Sequence, residues 1–140
     1  MKKTAVVYWS GTGNTAAMAD AVAAGMKEAG ADVSVLECSE AAATDLTAFD
    51  AIAFGCPAMG DESLEDGDFE PLFSDVKKKV ASKAVALFGS YDWGDGEWMR
   101  NWEADCKAAG IKLACESVIC CGEPDGDAVE ACKALGKALA

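Results

Sequence analysis

Residues 6–22 read VVYWSGTGNTAAMADAV. An apolar run enters a Ser/Gly/Thr knot at 10–15, SGTGNT, and emerges as a helical pattern. Beyond the knot, Ala17, Met18, Ala21, Val22, Gly25 and Met26 fall on one face at i, i+3, i+4 spacing. Gly11 and Gly13 let the backbone come close to an oxyanion and take strained turn angles. Asn14 is placed to cap the helix that follows, whose first N–H groups and dipole point at the same spot. Ser10, Thr12 and Thr15 add hydroxyl donors. The stretch is a phosphate cradle built from neutral groups, with no Lys and no Arg in it. It is not a P-loop, because no Lys follows the glycines, and not a dinucleotide fingerprint, because Ala16 stands where the third Gly belongs.

Working outward, apolar runs with strand character recur at 4–9, 32–37, 51–56, 84–89 and 113–121. Helical spacing marks 14–29, 69–80, 97–109 and 126–139, with 40–48 a further candidate. Near-continuous apolar strands alternating with helices predict a parallel sheet covered on both faces, a doubly wound α/β fold. With no repeat, linker or low-complexity tract in 140 residues, the expected organisation is one domain spanning 1–140. Such a sheet binds ligands beyond the carboxyl ends of its strands. The loops after the first, third and fourth strands, 10–15, 57–68 and 90–97, are therefore where chemistry is expected.

Composition narrows the function. The chain carries 24 acids against 12 bases, a net charge of −12, which excludes nucleic acid and anionic membrane as partners and favours a basic docking partner. The apolar run after MKK ends at residue 9, too short for a signal h-region, and no stretch approaches a membrane span, so a cytoplasmic chain is expected. The seven cysteines are odd in number, form no C-x-x-C pair and have no His beside them. They read as packing thiols in a reducing compartment, Cys115, Cys120 and Cys121 among them, and not as a metal site.

In the loop at 90–97, Trp93 lies among Asp92, Gly94, Asp95 and Gly96, where a flat π-surface is available for stacking a planar ligand. Trp98 and Trp102, four apart on the next helix, read as core, and Trp9 as structural. In the third-strand loop, Met59 offers a thioether to an aromatic face, Gly60 permits two peptide orientations, and Glu62 offers a carboxylate to a ring N–H.

Taken in order, SGTGNT, FDAIAFG followed by CPAMGDE, and FGSYDWGDGEWM resemble the flavodoxins over the whole length, in particular their short-chain type found in anaerobic bacteria. The resemblance implies a five-stranded parallel sheet of order 2-1-3-4-5 holding one non-covalent FMN. It places Ser10, Thr12, Gly13, Asn14 and Thr15 on the phosphate, helped by Ser90, with Gly11 also in the cofactor-binding loop. Trp93 would stack on one face of the flavin ring and Met59 on the other, with Glu62 accepting from the pyrimidine-side N–H. Backbone groups of Met59, Gly60, Asp61 and Glu62, and of Gly89, Ser90, Tyr91, Asp92, Trp93 and Gly94, would contact the ring, with Pro57 and Ala58 also counted as cofactor-binding. Pro57 stands where some flavodoxins carry Ser, and Asp92 where Gly is common.

The implied function is low-potential electron transfer between redox enzymes in place of ferredoxin, through a neutral semiquinone and an anionic hydroquinone. The implied carrier is a monomer with no substrate of its own. Its partners would be basic-faced ferredoxin-type oxidoreductases and reductases. A cradle without cations suits that role, because a Lys or Arg beside the flavin would stabilise its reduced anion and raise the potential. The segment 61–70, DESLEDGDFE, holds six acids and no base, and is expected to disfavour the anion further and guide docking. Two other readings of this topology fail on residues. A receiver domain needs an Asp ending strand three, where Cys56-Pro57 stands, and a small phosphatase needs C-x5-R, whereas Gly94 lies six before Arg100. A flavodoxin-like flavoenzyme or dedicated enzyme activator, and a flavin-storage module, stand as alternatives.

Overall fold

Strands β1 (Lys3–Tyr8), β2 (Asp32–Glu37), β3 (Ala51–Gly55), β4 (Ala84–Tyr91) and β5 (Val118–Cys121) alternate with five helices. The helices are α1 (Asn14–Glu28), α2 (Cys38–Ala42), α3 (Phe69–Val76), α4 (Glu97–Ala108) and α5 (Gly126–Leu139). The computed structural model describes residues 2–59, 63–92 and 94–140. The strands form one parallel sheet in the order β2-β1-β3-β4-β5, as expected from the resemblance. The order reverses between β1 and β3, so the loops leaving these two strands diverge and open a crevice at the carboxyl edge.

Alternation along each buried strand sends side chains to two separate cores. Val7, Ile52, Phe54, Val85 and Leu87 face α3 and α4, where they meet Phe69, Phe73, Trp98 and Trp102. Val6, Ala51, Ala53, Ala86 and Phe88 face α1 and α5, against Met18, Val22, Met26, Leu135 and Leu139. Trp98 and Trp102 are core residues, as their spacing implied. Trp102 stands edge-on to Phe69 and Phe73, with centroids 5.4 and 5.6 Å apart. On the opposite face, α1 and α5 approach until backbone meets backbone. A Cβ at Gly25 would collide with the Lys133 carbonyl, and one at Gly136 with the Val22 carbonyl. Only glycine fits at either crossing.

Four elements differ from expectation by more than one residue at an end. The helix expected over 69–80 ends at Val76 and continues as turns through residue 80. The stretch 40–48 splits into α2 and a 3-10 turn at Leu46–Ala48, where the Asp45 side chain accepts from Thr47 N–H. The run 113–121 is not one strand: Leu113 makes a single parallel bridge to Val85, and pairing resumes only at Val118. β4 runs two residues beyond 84–89, because Ser90 and Tyr91 pair with Cys120 and Cys121. That extension moves Ser90 and Tyr91 from loop to strand.

Candidate functional site

The β1–α1 loop begins as a continuation of the sheet, with Trp9 N–H donating to Gly55 C=O at 3.0 Å. Gly13 then takes a left-handed conformation, φ 96°, immediately before the first helical residue, Asn14. Asn14 is therefore inside the helix and does not cap it; Gly13 holds the cap position and no side chain of that residue type can fill it. Ser10 takes over the task from outside. Its Oγ accepts from Gly13 N–H at 3.1 Å and from Ala16 N–H at 3.3 Å, folding the loop over the helix start. The N–H groups of Asn14 and Thr15 have no acceptor four residues back within the helix and face outward from its end. Thr15 is buried and shares a 3.1 Å hydrogen bond with the hydroxyl of buried Ser90 on β4. Two hydroxyls joined this way use one hydrogen between them and keep the other for a third partner. Thr12 is exposed at the mouth.

The second wall follows β3. Cys56 is fully buried; its N–H donates to Phe88 C=O at 3.2 Å and its C=O accepts from Trp98 Nε1 at 3.2 Å. Gly89 lies so close to this turn that a Cβ there would strike the Cys56 carbonyl oxygen. Ala58 N–H donates to Ser90 C=O at 3.0 Å, and Met59 N–H to Ser63 C=O at 2.9 Å. The loop after β3 is thus stapled to the end of β4 and closed at its base. The expected roles of Gly60, Asp61 and Glu62 fall outside the described residues, as does that of Trp93. On the third side, Gly94 and Gly96 are left-handed at φ 89° and 91°. Arg100 on α4 donates to both the carbonyl and the carboxylate of Asp95, at 3.0 and 2.9 Å, and ties the loop's far end to the helix.

These walls enclose a cleft of about 300 Å³ lined by Trp9, Gly11, Thr12, Pro57, Ala58, Met59, Ser90, Tyr91 and Asp92. All three expected loops contribute, and no lining residue is basic. Trp9 is the residue that sequence reasoning missed. It was expected to be structural, yet it lines the cleft, and its ring stands 3.0 Å from where a Gly11 Cβ would sit. A signal was present in its position one residue before the Ser-Gly knot.

A flavodoxin family model matches residues 6–136. The chain belongs to the flavodoxin family. It is 44% identical to a flavodoxin of Clostridium beijerinckii over 135 residues, covering 96% of this chain and 97% of that protein. A flavodoxin of Megasphaera elsdenii is 45% identical over 135 residues, 96% of each chain. The solution structure of two-electron reduced Megasphaera elsdenii flavodoxin superimposes with a TM-score of 0.87 at 43% identity, covering 97% of both chains. Flavodoxins are FMN-binding electron carriers, without substrate chemistry of their own. The donor set fits that cofactor. Thr12 and Ser90 line the cleft, Thr15 is bonded to Ser90 behind it, and Ser10 folds the loop over the helix start, while Trp9, Tyr91 and Met59 add aromatic and thioether groups to the lining.

Two further expectations need correction. Cys38, Cys56, Cys106 and Cys132 are buried packing thiols, and burial pushes Cys38, Cys106 and Cys132 up to about 12. Cys121 is exposed instead, on the same face of the edge strand as exposed Ile119, while Val118 and Cys120 turn to the core. The acids of 61–70 do not all face solvent either. Glu65 is 8% exposed, with its carboxylate turned into the protein. Burial raises its pKa, but backbone N–H groups of Phe69, Asp68 and Gly67 outweigh that and hold the carboxyl below its ordinary value. Among the described residues no helix is long and apolar enough to cross a membrane, and no group of His, Cys, Asp and Glu could hold a metal.

Proposed function

We propose that FMN sits in the cleft with its phosphate at the β1–α1 loop and its ring between the loops that follow β3 and β4. The observation that carries this reading is the meeting of the neutral, hydroxyl-rich loop with the end of β4, through the Thr15–Ser90 bond, in a cleft without a basic residue. Ser10, Thr12, Gly13, Asn14 and Thr15, with Ser90, hold the phosphate by hydroxyl and backbone donors, with Gly11 giving room for its approach. Pro57, Ala58 and Met59 form one wall, and Gly89, Tyr91, Asp92 and Gly94 the other. Trp93 stacks on the ring, Glu62 accepts from its N–H, and Gly60 and Asp61 supply backbone contacts. FMN, when bound, supplies one-electron chemistry. The protein orients the ring, screens it from water and surrounds it with negative charge, so that the reduced anion is disfavoured and the potential stays low.

The partners are redox enzymes with basic docking faces, such as ferredoxin-type oxidoreductases and reductases. They are met by a monomeric, single-domain, cytoplasmic carrier through Asp66, Asp68, Glu70 and the acids beside them. FMN titration of the apoprotein, run beside riboflavin, tests the phosphate assignment. Replacing Thr12 and Thr15 by Val should weaken FMN strongly and riboflavin little; equal losses for both ligands would remove the loop from the phosphate site.

A further inference from the structure

Glu65 has more partners than a solvated acid needs. Its Oε2 accepts from Gly67 N–H at 2.8 Å, and its Oε1 from the N–H groups of Asp68 and Phe69 at 2.7 and 2.8 Å. Its own N–H donates to Cys56 Sγ at 3.4 Å, and its C=O accepts from Glu70 N–H at 2.9 Å. One residue therefore gathers the turn that leads into α3 and ties it to the last buried residue before the cleft wall. Asp68, in the cap position of α3, makes no side-chain cap bond. Cys56 is held from β4 and from α4 by the bonds described above, and the Glu65 contact supplies the third direction.

We propose that Glu65 is a positioning residue for the cofactor: by fixing the turn 65–69 against Cys56, it sets where the wall 57–59 stands against the flavin. The inference rests on the reading of that wall as part of the FMN site. A displaced carboxylate leaves three N–H groups short of acceptors, and the turn must rearrange to find water. Cys56 then loses one of its restraints, Met59 withdraws from the ring, and water enters. Water stabilises the reduced anion, so the potential for the second electron becomes less negative.

Three variants separate positioning from charge and from simple stability. Glu65→Gln keeps the length but replaces an acceptor oxygen by a donor. Gly67→Ala changes no charge and puts a Cβ 2.8 Å from Glu65 Oε2, pressing on the movable end of that side chain. Asp66→Asn removes the same charge from an exposed neighbour. FMN dissociation constant, second-electron potential and thermal stability are measured on each reconstituted holoprotein. Glu65→Gln should raise the dissociation constant about tenfold, the scale of one charged hydrogen bond, and shift the potential by more than Asp66→Asn does. Gly67→Ala should move both quantities in the same directions by a smaller factor. Wild-type affinity in Glu65→Gln with a potential shift no larger than that of Asp66→Asn would reduce Glu65 to a helix cap. If Glu65→Gln does not fold, Gly67→Ala decides alone, and unaltered affinity and potential there overturn the proposal. Failure of the wild-type chain to bind FMN overturns the cofactor reading itself, and this proposal with it, before any variant is compared.

Discussion

The α1–α5 seam and the loops around the cleft both depend on glycine, for opposite physical reasons. At the seam, Gly25 and Gly136 are there because a side chain would occupy the space of a facing carbonyl. In the cleft loops, a Cβ at Gly13 would meet nothing within 4 Å, but Gly13 and Gly94 both have left-handed φ angles that disfavour any side chain. The seam is closed by contact and the cleft is held open by conformation. Damage to the first should therefore appear in stability, and damage to the second in ligand affinity.

The largest effect expected is at the seam. Gly136→Ala should destabilise by about 3 kcal/mol, the upper part of the usual range for overpacking, because backbone atoms cannot step aside. Urea unfolding of the apoprotein would read it, and the fraction that remains folded should bind FMN with near wild-type affinity. An equal loss of affinity would mean that the seam and the cleft are one unit. Next comes Thr15→Val, which removes the Ser90 partner and, on the proposed siting of FMN, a phosphate donor. FMN affinity should fall by about 1.5–3 kcal/mol as a charge-assisted bond is lost, measurable by fluorescence titration, while apoprotein stability falls by less.

Acid sharpens the comparison further. Glu65 is held below its ordinary value of 4.5, so its contribution to stability is complete above that value and is lost as pH falls through the folded-state pKa. Stability of Glu65→Gln should therefore depend less steeply on pH in the acid range, as followed by denaturant midpoints from neutral to acid pH. The smallest effect is at the exposed rim. Asp66→Lys should leave FMN affinity and stability within about 0.5 kcal/mol of wild type, as surface changes usually do. It should slow electron transfer to a basic reductase, with a salt dependence that stopped-flow kinetics can measure.

What could be read from the sequence divides along the same line. Local period placed the elements: β2 and α5 have the bounds that their apolar spacing implied, 32–37 and 126–139. Motif order found the three loops that line the cleft. The misreadings have two sources, partners distant in the chain and local backbone conformations that residue type does not record. β4 outruns its apolar stretch because Cys120 and Cys121 lie beside Ser90 and Tyr91, a pairing that no local pattern records. Asn14 looked like a cap because its side chain suits one, but the left-handed Gly13 takes that position. Trp9 looked structural because it ends a strand, although the strand ends at the cleft. Glu65 was one of six acids until its turn curled three N–H groups onto its carboxylate. Composition counts charges and does not say which way they face.

The Thr15–Ser90 bond has a consequence for the order of events in synthesis. It joins residues 75 apart in the chain. A growing polypeptide that has released α1 from the ribosome still lacks half of the donor pair, and the helix still lacks α5, whose Gly136 seats against Val22. Domains tend to fold as units once enough chain has emerged. If the proposed siting of FMN holds, the nascent protein passes through much of its translation without that place, and cofactor capture is expected only after Ser90 has joined Thr15 and α5 has docked.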